Sequence, residues 1–261
     1  MVIPLAEQLR PSSLDEYIGQ EHLVGRDAIL YKAIISGNVP SMILWGPPGV
    51  GKTTLAYIIS QQLQRSFFTL SAVSSGVKEV REVIAKARES GESPFLFIDE
   101  IHRFSKSQQD ALLGAVEKGI VTFIGATTEN PSFEVISPLL SRCQIYILKS
   151  LEEEHLLKLL ILGKERLEKN SGIKIRIEET EALMRISGGD ARKLFNALEL
   201  IVNAESKKSK ENFEEPQDGN SKSHKLSAHR ENKNWKNHLL DSSEEEIDEN
   251  FFHYDEDEEE E

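Results

Sequence analysis

The sequence predicts an α/β fold: a five-stranded parallel sheet with helices on both faces, then a small helical domain and an acidic tail. Three observations carry this. Short apolar runs alternate with helical patterns from residue 41 to about 148, the signature of a doubly wound sheet. After Ser150 apolar residues recur only at helical spacing. From Glu205 onward the periodicity stops and acidic charge accumulates: residues 205–261 carry 19 acidic and 8 basic side chains, against 25 and 23 in residues 1–204. The expected domains are therefore 1–150, an α/β nucleotide-binding domain; 151–204, a helical lid; and 205–261, a disordered tail that cannot bury enough apolar surface to offset its ordering entropy.

The first strand, Met42-Ile43-Leu44-Trp45, runs into Gly46-Pro47-Pro48-Gly49-Val50-Gly51-Lys52-Thr53 and then Thr54, where an apolar-periodic segment opens. A glycine-rich turn between a strand and a helix suits phosphate: backbone N–H groups curl toward the anion and the helix N-terminus adds its positive dipole end. Lys52 supplies a point charge for the β- and γ-phosphates, and Thr53 a hydroxyl for Mg²⁺. By itself this stretch is also compatible with a glycine turn that binds nothing.

The second element removes that alternative. Pro94-Phe95-Leu96-Phe97-Ile98 is wholly apolar, as expected of a strand buried on both faces, and ends in Asp99-Glu100. Ligands of open α/β sheets lie at the C-terminal strand edge, the edge from which the phosphate loop departs. Asp99 is expected to hold Mg²⁺, and Glu100 to orient and deprotonate an attacking water. Further strands are expected near 67–71, 121–126 and 144–148, and helices near 52–64, 77–90 and 106–117, the last capped by Ser105.

The helical domain draws its apolar stripes from Leu151, Leu156, Leu157, Leu159, Leu160 and Leu167, then Ala182, Leu183 and Ile186, then Leu194, Ala197, Leu198 and Ile201. Three helices are the most it can hold, and they need a neighbour to bury those stripes. The single cysteine, Cys143, rules out an internal disulfide and a cysteine-cluster zinc site, and reads as a small buried thiol. No apolar run approaches a membrane span and no signal-peptide core is present, so a cytoplasmic location is expected. Within the tail, Trp235 with Leu239-Leu240, and Phe251-Phe252 with Tyr254, are either docking islands or incidental apolar residues. His224, His229, His238 and His253 lack ligand spacing.

In order, these motifs resemble the AAA+ superfamily, and within it the replication-associated recombination protein A family. The carrying segments are Pro4 through Pro11 with Tyr17 through Gly25, Trp45 through Thr54, Phe97 through Asp110, and Ile124 through Ile136 running into Ser141-Arg142-Cys143; the likeness covers roughly residues 3–204. It implies ATP with Mg²⁺ as cofactors, with Arg10, Pro11, Tyr17 and Ile18 around the adenine and residues 46–54 around the phosphates. It implies that Thr127 is sensor 1, Arg142 an arginine finger reaching a neighbouring subunit's γ-phosphate, and Arg192, in Gly189-Asp190-Ala191-Arg192, sensor 2. By residue type alone, Thr127 reads as a strand residue and Arg142 and Arg192 as surface charges.

The implied function is a DNA-dependent ATPase of replication-fork maintenance and recombination, remodelling single-strand/double-strand junctions. Replication and single-strand-binding proteins are its expected partners, and homo-oligomerisation is expected. Members of the family usually continue into a helical collar that mediates tetramer formation, where this chain carries the acidic tail. Two alternatives stand beside this reading: a nucleotide-switched interaction protein with little turnover, and a clamp-loader-like subunit.

Overall fold

Five strands form the sheet: β1 (Met42–Trp45), β2 (Phe67–Ser71), β3 (Phe95–Asp99), β4 (Thr122–Thr127) and β5 (Gln144–Ile147). The helices are α1 (Leu5–Gln8), α2 (Glu21–Val24), α3 (Ile29–Ile35), α4 (Lys52–Gln62), α5 (Val77–Ser90), α6 (Lys106–Glu117), α7 (Pro131–Glu134), α8 (Ser137–Leu140), α9 (Glu153–Ser171), α10 (Glu181–Ser187) and α11 (Ala191–Glu211), with a 3₁₀ turn at Ile101–Arg103. The computed structural model describes residues 3–71 and 76–211, with side chains to residue 204. Of the segment 205–261 expected to be disordered, residues 205–211 are instead helical, while 212–261, with Trp235, Leu239, Leu240, Phe251, Phe252, Tyr254 and the four tail histidines, lie outside the described residues.

All pairings are parallel and the strand order is β2-β3-β4-β1-β5. Strand side chains alternate between faces, so each uninterrupted apolar run feeds two cores at once. Met42, Leu44, Phe95 and Phe97 pack with Leu30 and Ile34 of α3 and Leu55, Ile58 and Ile59 of α4. Ile43, Leu96 and Ile98 point the other way, onto Val80, Val83 and Ile84 of α5 and Leu112 and Ala115 of α6. That two-sided burial is why β1 and β3 show no polar alternation.

The helix starts follow their sequence signals. Ser105 and Gln108 form a reciprocal cap on α6: the Ser105 hydroxyl accepts from the Gln108 N–H at 3.3 Å, and the Gln108 side chain accepts from the Ser105 N–H at 2.8 Å. At α5 the Glu79 carboxylate accepts from the Gly76 N–H at 2.7 Å.

Four boundaries depart from expectation, the slightest being β5, which ends at Ile147 rather than 148. β4 covers 122–127 rather than 121–126, which brings Thr127 into the ladder opposite Trp45. α4 ends at Gln62, two residues short of expectation. α11 continues to Glu211, well past the expected end of the lid at 204. An apolar stripe reports only the packed face, whereas a helix already nucleated propagates cheaply through good helix formers such as the Glu and Lys of 205–211.

The helical cluster buries Leu151, Leu156, Leu160, Leu167, Leu183, Leu194, Phe195 and Leu198 around Leu5 of α1. The N-terminal segment thus completes the lid core: the Leu5 N–H donates to Glu199 at 3.3 Å, and Asn170 donates to the Gln8 side chain at 2.9 Å. A four-residue helix is too short to show periodicity, so its sequence carries no sign of this packing.

Candidate nucleotide site

The phosphate loop leaves the middle of the sheet. Trp45 pairs with Thr127, and the Gly46 N–H donates to the Thr127 carbonyl at 3.2 Å, so the loop starts beside the end of β4. Gly51 takes φ +95° and Gly49 φ +71°, left-handed backbone that suits glycine. Space is equally restrictive: a Cβ on Gly51 would stand 2.6 Å from the Tyr17 hydroxyl, and one on Gly49 1.8 Å from Asp190 Oδ1. α4 then begins at Lys52, and the N–H groups of its first turn have no intrahelical acceptor.

Lys52 is buried, and its ammonium donates to the carbonyls of Gly46 at 2.7 Å and Pro47 at 2.8 Å. Desolvation pulls its pKa down; Glu100, Asp99 and Asp190 oppose that shift, while Arg192 reinforces it. The ammonium therefore stands within electrostatic reach of both acids of the third strand and of the lid.

At the end of β3, Glu100 adopts φ 56°, ψ 49°, a left-handed conformation uncommon for a residue with a side chain, and opens the 3₁₀ turn through the Arg103 N–H to Glu100 carbonyl bond at 2.8 Å. That turn carries His102, whose Nε2 lies 3.2 Å from Glu100 Oε2 and whose Nδ1 lies 2.9 Å from Thr127 Oγ1. Thr127 is fully buried, and its hydroxyl accepts from the Glu129 N–H at 3.0 Å.

A cleft flanks the loop. Of the residues expected around nucleotide, Arg10, Pro11, Tyr17, Ile18, Gly49, Val50, Gly51, Thr53, Thr54 and Arg192 line it. Tyr17 is the floor: its hydroxyl lies 3.2 Å from the carbonyls of Val50 and Gly51, and burial pushes its phenol well above the usual range. Gln20, also left-handed, clamps this segment to the end of β5 by a paired amide contact with Lys149, 2.7 Å to its carbonyl and 2.9 Å from its N–H. On the lid side, Asp190 caps α11 by accepting from the N–H groups of Arg192 at 2.8 Å and Lys193 at 3.1 Å, while the Ala191 N–H donates to the Gly49 carbonyl at 3.2 Å. The lid's longest helix is thereby seated directly on the phosphate loop.

Arg142 does not join this assembly. It is exposed, donates to the Pro138 carbonyl at 2.7 Å and the Ser141 hydroxyl at 3.2 Å, pairs with Glu117 at 3.3 Å, and lines no part of the cleft. Residue-by-residue reading also leaves His102, Asp190 and Gln20 without roles, although all three sit inside or beside the quoted motifs. The lid residues Leu159, Leu162 and Phe195 in the cleft wall are likewise hidden within an ordinary apolar stripe. The half-buried Cys143 stays out of the site, its thiol pushed up to about 12 by burial.

Among the described residues no group of three or more His, Cys, Asp or Glu side chains is placed to hold a metal, and no helix is long and apolar enough to cross a membrane.

Comparison with known proteins identifies the ancestry of this arrangement. Residues 42–151 match the model of the ATPase family associated with various cellular activities (AAA). The chain is 49% identical over 210 residues to the replication-associated recombination protein A of Coxiella burnetii, covering 77% of this chain and 46% of that protein. It is 48% identical over 205 residues to the protein of the same name from Escherichia coli, covering 76% and 46%. To the ATPase WRNIP1 of Dictyostelium discoideum it is 46% identical over 219 residues, covering 81% and 25%. Among solved structures it resembles the Thermotoga maritima RuvB Holliday junction branch migration motor, with a TM-score of 0.59 and 33% identity over 72% of this chain and 63% of that one. The chain spans about half the length of the curated bacterial relatives named here. With its five parallel strands, phosphate loop, paired acids and lid in this order, the chain belongs to the AAA+ ATPases, in the family of replication-associated recombination protein A.

Proposed function

We propose that this chain binds ATP with Mg²⁺ and hydrolyses it, and that the resulting lid movement serves the remodelling of DNA at single-strand/double-strand junctions during replication-associated recombination. The observation that carries the hydrolytic reading is the convergence of Lys52, Glu100, His102 and Thr127 at one sheet edge beside the phosphate loop. The DNA reading rests on the names of the relatives.

The donor set suits magnesium. Thr53 and Asp99 offer a hydroxyl and a carboxylate, both hard oxygen donors, and Mg²⁺ is commonly held by one or two protein oxygens with water and phosphate oxygens completing the shell. Bound there, the ion supplies neutralisation of the phosphate charge. Lys52 exchanges its carbonyl partners for β- and γ-phosphate oxygens, and the first-turn N–H groups of α4 take the remaining anionic oxygens. The purine lies in the cleft of Arg10, Pro11, Tyr17 and Ile18. Glu100 accepts the proton of the attacking water as its oxygen bonds to the γ-phosphorus and the bond to the β-phosphate oxygen breaks; Thr127 helps hold that water. Arg192, at the start of α11, ties the lid to the phosphates.

Arg142 serves a neighbouring copy: a guanidinium suits the charge spread over a transferring phosphoryl group, and this one lies exposed, outside its own cleft. The expected homo-oligomer follows from that role. If the sites are shared, mixing inactive Arg142→Ala with inactive Lys52→Ala protein restores turnover; strictly absent complementation at high concentration removes the shared site.

The primary test is Glu100→Gln, which should reduce hydrolysis by at least about a hundredfold while ATP still binds. Turnover that survives the change means the base is misassigned. Steady-state ATPase activity against protein concentration, with and without a gapped forked DNA, tests the wider function. A steeper-than-linear rise stimulated by DNA supports it, and a DNA-indifferent rate counts against it.

A further inference from the structure

His102 is used by none of the roles above, yet it touches two residues that have them. Its ring stands between the hydroxyl of Thr127 at 2.9 Å and the carboxylate of Glu100 at 3.2 Å. Its side chain is 14% exposed and that of Glu100 31%, so the pair is largely shielded.

The hydrogen-bonding capacities fix a direction. A carboxylate oxygen only accepts, so Nε2 must carry the hydrogen and donate to Glu100. A neutral imidazole donating at Nε2 has Nδ1 as an acceptor, and the single Thr127 O–H fills it at 2.9 Å in preference to the Glu129 carbonyl, the other acceptor in reach, at 3.3 Å. The Thr127 oxygen in turn accepts from the Glu129 N–H at 3.0 Å. The chain Glu129 N–H, Thr127 O–H, His102 Nε2–H, Glu100 carboxylate is then satisfied at every link, running from the end of β4 to the end of β3. Such chains are cooperative, each bond polarising the next.

We propose that His102 is a positioning residue for ATP hydrolysis: it fixes the Glu100 carboxylate by tying it to the sensor threonine, so that both groups facing the attacking water move together. The need is local. Glu100 sits on left-handed backbone at the mouth of a 3₁₀ turn, and no other protein hydrogen bond holds its side chain among the described contacts. The charged group in contact with the ring is Glu100 on its own turn, and Lys52 reaches Glu100 through space. This rests on Glu100 being the base.

The experiment measures kcat and, separately, the affinity for a fluorescent ATP analogue in His102→Ala, His102→Gln and His102→Asn. Misplacing a catalytic group by about 1 Å costs on the order of a hundredfold. His102→Ala should therefore lose roughly ten- to a hundredfold in kcat, with analogue affinity changed less than about threefold. The Gln amide nitrogen matches Nε2 and keeps the Glu100 contact, whereas Asn reaches only the Nδ1 position. Gln should accordingly restore most of kcat and Asn should not.

In the background of Thr127→Val, His102→Ala should cost far less than it does alone, because the two act through one chain. An unchanged or raised kcat in His102→Ala, equal rescue by Gln and Asn, or additive losses with Thr127→Val each overturn the proposal. Where His102→Ala does not fold, the Gln-to-Asn contrast decides. Failure of the underlying reading is distinct, since it shows as turnover in Glu100→Gln.

Discussion

Arg65 and His102 lie at opposite ends of β3, and each bridges that strand to β4, but they are held in different ways. Arg65 donates to the Ser93 carbonyl through Nε at 2.6 Å and also through Nη2, to the Ser93 hydroxyl at 3.0 Å and to Thr122 Oγ1 at 2.6 Å, and it lies 4.2 Å above the Phe95 ring. His102 has two partners, one of them a carboxylate destined for other work. The same difference separates the two strand edges. At the N-terminal edge Arg65 is held by fixed protein partners, with the burial-perturbed Cys143 beside the start of β5. At the C-terminal edge Lys52 is parked on loop carbonyls that phosphate can replace. Saturation marks scaffold; exchangeable partners mark the site.

Four substitutions or labels test that contrast. Cys143 offers the largest effect: with its thiol pushed up to about 12, thiolate at pH 8 is scarcer than in an ordinary cysteine by on the order of a thousandfold. Alkylation by iodoacetamide should be slow in the native protein and accelerate on unfolding; rapid native labelling would show that the edge breathes. Next comes Lys52→Ala, expected to lower kcat/KM for ATP at least about a hundredfold (~2.7 kcal/mol) while the midpoint of thermal unfolding moves by less than about 3 °C.

Arg65→Ala should invert that pattern. Losing charge-assisted bonds and the ring contact costs about 2–3 kcal/mol of stability in denaturant titration, with kcat per folded molecule unchanged. A kcat defect without a stability loss would place function at the wrong edge. Ser105→Ala, which removes half of a reciprocal cap on α6, is the smallest, at about 1 kcal/mol and no change in turnover.

The sheet and the phosphate loop were legible because their signals are local. Trp45 to Lys52 must combine a strand end, positive φ and a helix start within a few residues, and few residue types allow that. β1 and β3 read as strands because two-sided burial leaves a short apolar run with no competing helical period. What stayed hidden depends on contacts between distant segments. Nothing near Asp190 says that it will press on Gly49, nor anything near Gln20 that its amide will pair with Lys149. Leu5 looks like any apolar residue until α9 and α11 close over it. His102 is intermediate: its spacing from Glu100 is visible, but only the parallel register of β3 and β4 brings Thr127 to its other nitrogen. The end of α11 is not legible, because apolar periodicity marks only the packed face and residues 205–211 extend the helix with no apolar residue.

That length has a mechanical meaning. α11 begins where Ala191 bonds to the Gly49 carbonyl and continues for 21 residues, a rod of about 30 Å at 1.5 Å per residue. One end rests on the glycine-rich loop proposed to hold the phosphates. A tilt of about 10° at that seat swings the far end through roughly 5 Å. A change in phosphate occupancy too small to disturb the sheet would thus be delivered, amplified, at the far tip of the lid.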